Sequence, residues 1–296
     1  MGESAVRMSR RASLGLLAGA AGAAASRPVA TVDSYDLRNP KTRMEAYLRM
    51  RSRLDGKPTF MPYRATIFGK PEGKVAVPLF NVEGFSWTKA TRTSDSSYRL
   101  DGVEAGYFLD LVTRQPLNRW TNPLNGLETT VKHYRTWAHS IVTTKGLEPI
   151  QEGPRPPGTL ITANTGEPTV MNGKVWMHED LFAQFPSRPK ESFADPLQYF
   201  GPLLTATSLA TWCADLADLA NSAKSFVPTL LSYQTLGSWR PFMRMGSVPG
   251  LISWRMFGVK APSLDGVPKY LRDRVLADYP DFLSKETADT VKSPGT

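Results

Sequence analysis

The chain has 296 residues, enough for one large domain or two small ones with a sizeable buried core. Apolar residues at 41% exclude an intrinsically disordered chain, and a single cysteine, Cys213, excludes both an intramolecular disulfide framework and an all-cysteine metal site. Lys and Arg outnumber Asp and Glu by 36 to 27, but they are scattered and no RNA-recognition, zinc-finger or helix-turn-helix pattern accompanies them, so nucleic acid is not an expected partner.

The amino terminus reads as an address. Ser9-Arg10-Arg11-Ala12-Ser13-Leu14 precedes an Ala/Gly-rich apolar stretch, residues 15–25, and resembles a twin-arginine export signal with Ser13 where an aromatic is usual. An organellar presequence has the same Arg, Ser and Ala bias and stays open as the alternative. The expectation is a signal over residues 1–25, cleavage after Ala25, the twin-arginine machinery as a partner, and a periplasmic or secreted location. Folding before export removes the need for disulfides. The signal is too short for a stable membrane span, and no later apolar run approaches the required length, so no span is expected.

After an extended lead over residues 26–38, Asn39-Pro40 supplies a cap and a first-turn proline, and Met44, Tyr47, Leu48 and Leu54 recur at helical spacing as far as Asp55-Gly56. The 24 prolines and 23 glycines, roughly one residue in six, argue for a turn-rich β architecture beyond it. Strands are predicted at Tyr63 to Phe68, Val75 to Phe80, Phe85 to Thr91, Val103 to Leu109 and Thr129 to Trp137. Hairpin loops fall at Gly69 to Gly73 and Ser94 to Ser96, and a turn at Asn122 to Gly126. Gln151 to Gly158, with Pro154, Pro156 and Pro157, is a loop. Leu160 to Thr162, Thr169 to His178, Thr229 to Trp239 and Leu251 to Phe257 return to strand, while Thr207 to Asn221 is open between helix and strand. Asp265 is expected to cap a last helix that ends at Tyr279-Pro280, before a polar, mobile tail over residues 285–296. The fold predicted is a single mainly β domain, residues 39–284, of the β-rich α+β kind, with an antiparallel, barrel-like or strongly curled sheet and a helix at each end.

The order of residues in two segments is familiar. Asp110-Leu-Val-Thr113, Leu117-Asn-Arg-Trp120-Thr-Asn122-Pro123-Leu-Asn-Gly126-Leu-Glu128 and Val131-Lys-His133 form the first, and Ser238-Trp239-Arg240-Pro241-Phe242-Met243-Arg244-Met245-Gly246 with Pro249-Gly250 and Tyr279-Pro280 the second. Together they resemble a bacterial and fungal family known only as domain of unknown function number eighteen-thirty-eight. Its pattern runs Asp-Pro-x-Thr-Gly, a Trp-x-Asn-Pro turn with Thr-Gly-Glu, Val-x-His, and later Trp-Met-x-Met-Gly. The resemblance covers about Met44 to Leu283, and the chain departs from the pattern at Leu111, Gln115 and Asn125. It implies a β-rich fold, often exported by the twin-arginine route, and brings no catalytic residues with it.

A closed sheet has an interior, and Trp87, Tyr107, Trp120, Trp137, Trp176 and Trp239 lie in or beside predicted strands, where they either line a hollow or fill the core. Alternation along Val131-Lys-His133-Tyr-Arg135 sets His133 beside Arg135 on one face. That suits a general acid/base of depressed pKa; a buried histidine bonded to backbone is the competing reading. His139 is expected on a loop surface. His178-Glu179-Asp180 lacks the helical His-x-x-x-His spacing of a zinc site, and no metal is expected. No Gly-x-Ser-x-Gly elbow, dinucleotide fingerprint or phosphate loop occurs, so no cofactor is expected. Arg240 suits stacking or anion contact, or else a salt-bridged rim.

Two functions follow. The first is a cofactor-independent isomerase, lyase or hydratase acting on a small apolar or aromatic molecule, with His133 as proton carrier, Tyr107 as hydrogen-bond donor and Arg240 as anion clamp. The second is a non-catalytic carrier using the same cavity. In both, Trp87, Trp120, Asn122 and Trp239 are the expected ligand contacts, and His133 is expected to face the hollow beside Trp120 or Tyr107.

Overall fold

Asn39 and Pro40 start the first helix as their chemistry dictates. The Asn39 side chain accepts hydrogen bonds from the Lys41 and Thr42 backbone N–H groups, at 2.9 and 3.2 Å, and Pro40 occupies the first turn of α1, Pro40–Arg51. The computed structural model describes residues 35–150 and 156–283. The export signal, its cleavage position, the lead as far as residue 34, residues 151–155 of the proline-rich loop and the tail beyond Leu283 lie outside them.

Thirteen strands follow among the described residues: β1 Thr59–Pro71, β2 Val77–Ser94, β3 Ser97–Leu109, β4 Arg119–Thr121, β5 Glu128–Thr130, β6 Tyr134–Thr143, β7 Gly146–Ile150, β8 Leu160–Thr165, β9 Thr169–Met171, β10 Lys174–Pro186, β11 Leu203–Asp215, β12 Thr229–Gly237 and β13 Gly250–Val259. A short helix, α2 Leu216–Ala220, follows β11, and α3, Lys269–Asp278, comes last. One antiparallel sheet runs β7-β6-β3-β2-β1-β13-β12-β11-β10-β8, with β9 as an extra partner of β10. Its end strands β7 and β8 lie side by side without a hydrogen-bonded ladder, so the sheet is a nearly closed barrel. Near-closure removes most of the exposed edge that an open sheet of this width would present.

Register fixes which side chains face inward. From Tyr63 the ladder runs across Gly84 and Gly106 to Tyr134, and in the other direction across Gly258 to Leu231 and Trp212. Inside positions share this parity. The opposite face of β1–β3 is also buried: Phe60, Phe85, Trp87, Val103, Ala105 and Tyr107 pack beneath α3 and Phe282. The Phe85 and Phe282 rings meet edge to face at 4.9 Å. By contrast, the outer face of β11–β13 leaves Leu209, Leu230, Phe257 and Val259 exposed.

Several local expectations are corrected. The expected strands Val75 to Phe80, which begins only at Val77, and Phe85 to Thr91 belong to the single strand β2, because Gly84 marks a close approach of the Tyr63 ring and not a turn. Thr129 to Trp137 breaks at residues 131–133 into β5 and β6, so the alternation expected to pair His133 with Arg135 does not exist. Thr207 to Asn221 is strand and then helix. Asp265 sits in a 3-10 turn and ion-pairs with Arg272 at 3.1 Å, while α3 begins after Pro268 without a side-chain cap. His139 is on β6, buried, with Nδ1 2.7 Å from Asp101 Oδ1. The Asn122 turn is as expected: the Gly126 N–H donates to the Asn122 carbonyl at 2.7 Å, with Gly126 at φ 74°.

Candidate functional site

The barrel encloses a cavity of about 850 Å³. That volume is within the range of small-molecule sites. Its apolar wall comes from Met61, Phe108, Leu231, Trp212, Trp254 and Met256, all at inward positions. Two carboxylates, Glu104 and Glu179, also face it.

Their surroundings differ sharply. Glu179 sits where α1 closes one end of the barrel. It accepts hydrogen bonds from Tyr47 Oη at 2.8 Å, from Arg51 NH1 at 3.0 and 3.1 Å, and from Trp212 Nε1 at 3.3 Å. The Arg51 guanidinium lies 5.2 Å from the Trp212 ring centroid. This ion pair, its carboxylate well supplied with donors although Arg51 Nε is left without a partner, fastens a helix to a sheet.

Glu104 lacks such support. Tyr134 Oη stands 3.5 Å from Glu104 Oε1, at the outer limit of a hydrogen bond, and Tyr63 Oη lies 2.7 Å from Tyr134 Oη. Burial pushes the Glu104 carboxyl above the usual carboxylate range, opposed by the hydrogen bonds of Tyr63 and Tyr134 and by the charge of Arg240. Burial likewise drives both phenols well above their ordinary value, so they remain protonated donors. An inward-facing carboxyl wired to a tyrosine pair can accept or release a proton at the cavity wall.

Two glycines make the pairing possible. A Cβ at Gly84 would come within 2.5 Å of Tyr63 Cζ, and one at Gly106 within 2.5 Å of Tyr134 Cζ. Without side chains on those inward positions, the two rings lie flat against the wall and their hydroxyls meet.

The residues expected at the site fall in three places. Arg240 lines the cavity, its guanidinium 5.7 Å from the Trp254 ring centroid. Tyr107 and His133 are neighbours, with ring centroids 5.0 Å apart, but neither lines the cavity. Tyr107 has the outward parity of β3 and donates to Asp278 Oδ2 of α3 at 2.6 Å, with Arg274 over its ring. His133 accepts a hydrogen bond at Nδ1 from the Phe108 N–H at 3.2 Å; burial first, then Arg274, lowers its pKa, against Asp278. The expectation that His133 faces the hollow is therefore corrected to a backbone-bound position between sheet and helix.

The remaining aromatic expectations are corrected in the same way. Trp87 is outside the barrel and donates to the Phe282 carbonyl at 2.7 Å. Trp239 is buried and donates to the Val248 carbonyl at 2.9 Å, while Trp120 packs 4.3 Å from the Phe80 ring. Asn122 is wholly buried, donates to the Met243 carbonyl at 2.7 Å and clamps two loops together. His178 points outward, 3.1 Å from Thr211 Oγ1. Among the described residues no three His, Cys, Asp or Glu side chains gather as a metal site requires, and no helix is long and apolar enough to cross a membrane.

Sequence reasoning missed Glu104, Tyr63 and Tyr134. The available signal was Gly-Val-Glu-Ala-Gly at residues 102–106, an acid between two glycines on one parity of an otherwise apolar strand.

The fold and this cavity define a nearly closed β-barrel whose interior holds a cavity lined by aromatic, aliphatic and titratable groups, compatible with binding a small molecule. Residues 56–293 match the family described as "Protein of unknown function (DUF1838)", and the chain belongs to that family. No match was found among curated proteins.

Proposed function

We propose that this protein is a cofactor-independent acid–base enzyme, of the isomerase, lyase or hydratase type, acting on a small, mainly apolar molecule held in the barrel. The observation that carries the reading is the Glu104–Tyr134–Tyr63 chain on the cavity wall. A carboxyl of raised pKa takes a proton from one position of the substrate and returns it to another, with Tyr134 donating to the developing negative charge. No electrons leave the substrate, so this chemistry is complete without a redox partner. The contrast with Glu179 supports Glu104 as the working group: the first carboxylate accepts four hydrogen bonds from three donors, one of them a guanidinium, while the second has only the tyrosine pair, with Tyr134 at 3.5 Å.

The test is mass spectrometry of the molecule that co-purifies with the protein, followed by single-turnover analysis. Wild type is expected to convert it, and Glu104→Gln to bind it unchanged. Recovery of the same unaltered molecule from both proteins would overturn the enzymatic reading and leave the carrier, which the apolar wall of the cavity also fits.

We further propose export of the folded chain, a reading supported by the Ser-Arg-Arg pattern at residues 9–11. Replacing Arg10 and Arg11 by lysine is expected to keep the full-length chain in the cytoplasm, as read by fractionation; unchanged export would contradict it.

A further inference from the structure

The mouth of the cavity carries an unusual charge pattern. Lys132, Arg135, Arg188 and Arg240 all line it. Arg135 is held by Asp281 in a two-pronged ion pair at 2.6 and 2.7 Å, and nearby Arg244 is held by Asp195 at 2.5 Å. Lys132, Arg188 and Arg240 make no side-chain hydrogen bond or ion pair among the described residues. Arg188 and Arg240 lie over the rings of Phe193 and Trp254, at 4.7 and 5.7 Å from the ring centroids. Arg240 is itself open to solvent on one side, but it lines the cavity with its guanidinium over the Trp254 ring, where an unpaired positive charge favours an anion.

From this geometry we infer that the cavity's guest is an amphipathic carboxylate, with its acid group on Arg240 and its apolar body among Phe108, Trp254 and Met256. The inference rests on the binding cavity proposed above. Arg240 offers the planar fork that matches a carboxylate, and Trp254 beneath it holds the fork in orientation. Lys132 and Arg188, exposed at the mouth, raise the local concentration of anions. A head group on Arg240 also brings the carbons next to the carboxylate toward Glu104, whose carboxyl feels the Arg240 charge. Proton transfer close to a carboxylate is therefore the chemistry the arrangement favours.

The test is calorimetric titration with a matched pair of probes, 4-phenylbutanoate and its uncharged amide, at neutral pH. The acid is expected to bind at least about tenfold more tightly than the amide, with an affinity that falls as salt rises. Arg240→Gln is expected to weaken the acid at least about tenfold while leaving the amide nearly unchanged, and Arg240→Lys to restore part of the loss. Equal binding of acid and amide, or a Gln variant that keeps the acid's advantage, overturns the carboxylate assignment and leaves the cavity reading standing. Binding of neither probe overturns both. Glu104→Gln separates the two readings further: it is expected to retain the acid even where conversion is lost.

Discussion

Glu104→Gln is expected to lower turnover at least about 100-fold, the usual contribution of a general acid or base, while making the folded protein more resistant to heat at neutral pH and above. Both effects come from one environment. Burial raises the folded-state pKa of Glu104 above its unfolded value, and the Tyr63 and Tyr134 hydrogen bonds and the Arg240 charge only partly offset it. A carboxyl whose folded pKa is raised favours folding fully at pH values below its unfolded pKa, and that contribution is lost as pH rises through the folded pKa. Glutamine has the same shape and never ionises. The melting temperature of the variant should therefore match wild type near about pH 4 and exceed it by a growing margin toward about pH 8. Thermal melts across that range check the sign. A variant uniformly less stable than wild type would mean that the ionised carboxylate stabilises the fold, and the assignment of Glu104 as a strained working group would be lost. Gain of stability with loss of activity is the pattern expected where a site is kept at the fold's expense.

Gly106→Ala is expected to cost about 1–3 kcal/mol, the usual penalty for adding a methyl group to a packed wall, and to disable the site as well. The new Cβ would fall within 2.5 Å of Tyr134 Cζ, so the ring must lift from the strand. Lifting it separates Tyr134 Oη from Tyr63 Oη, now 2.7 Å away, and from Glu104. Chemical denaturation of Gly106→Ala, Tyr134→Ala and the double variant checks the cause. With the ring already removed, the extra methyl meets little, so the double variant should lose much less than the two single losses added together. Simple additivity would show that Gly106 matters for some reason other than seating Tyr134.

The barrel was legible in the sequence because its strands are long, its turns carry Gly, Pro, Asn and Ser, and its helices announce their ends. Asn39-Pro40 and Tyr279-Pro280 bound helical segments as local chemistry alone requires. The site was less legible, and the reason is geometric. Where one face of a strand is wet, alternation tells inside from outside; β1–β3 are buried on both faces. Tyr107 and Glu104 are both buried-looking positions on β3, and nothing in the local pattern says that α3 covers the first while the second faces the cavity. Trp87 was drawn to the wrong side in the same way. His133 failed for the same reason: it and Arg135 both turn toward α3 and the segment after it, where His133 meets Tyr107 and Arg135 pairs with Asp281, and nothing local says that this face is covered by a helix. Arg240 reached the cavity wall for a reason visible in sequence, since Trp-Arg-Pro ends a strand and turns the guanidinium at the barrel's rim.

Both the enzymatic and the carboxylate readings require that the barrel's interior admit a small guest beside Glu104 and Arg240. Thr136 faces that interior on β6, directly across the ladder from Glu104, and is exposed to the cavity mouth. Titration of an anilinonaphthalene sulfonate probe, followed by its fluorescence and by transfer from Trp212 and Trp254, reads occupancy directly. Saturable one-to-one binding to wild type, abolished by a Thr136→Trp plug that leaves the melting temperature and circular dichroism unchanged, is the predicted result. Binding that persists with the interior plugged, or that never saturates, would place the probe on the exposed apolar face of β11–β13 and contradict the account.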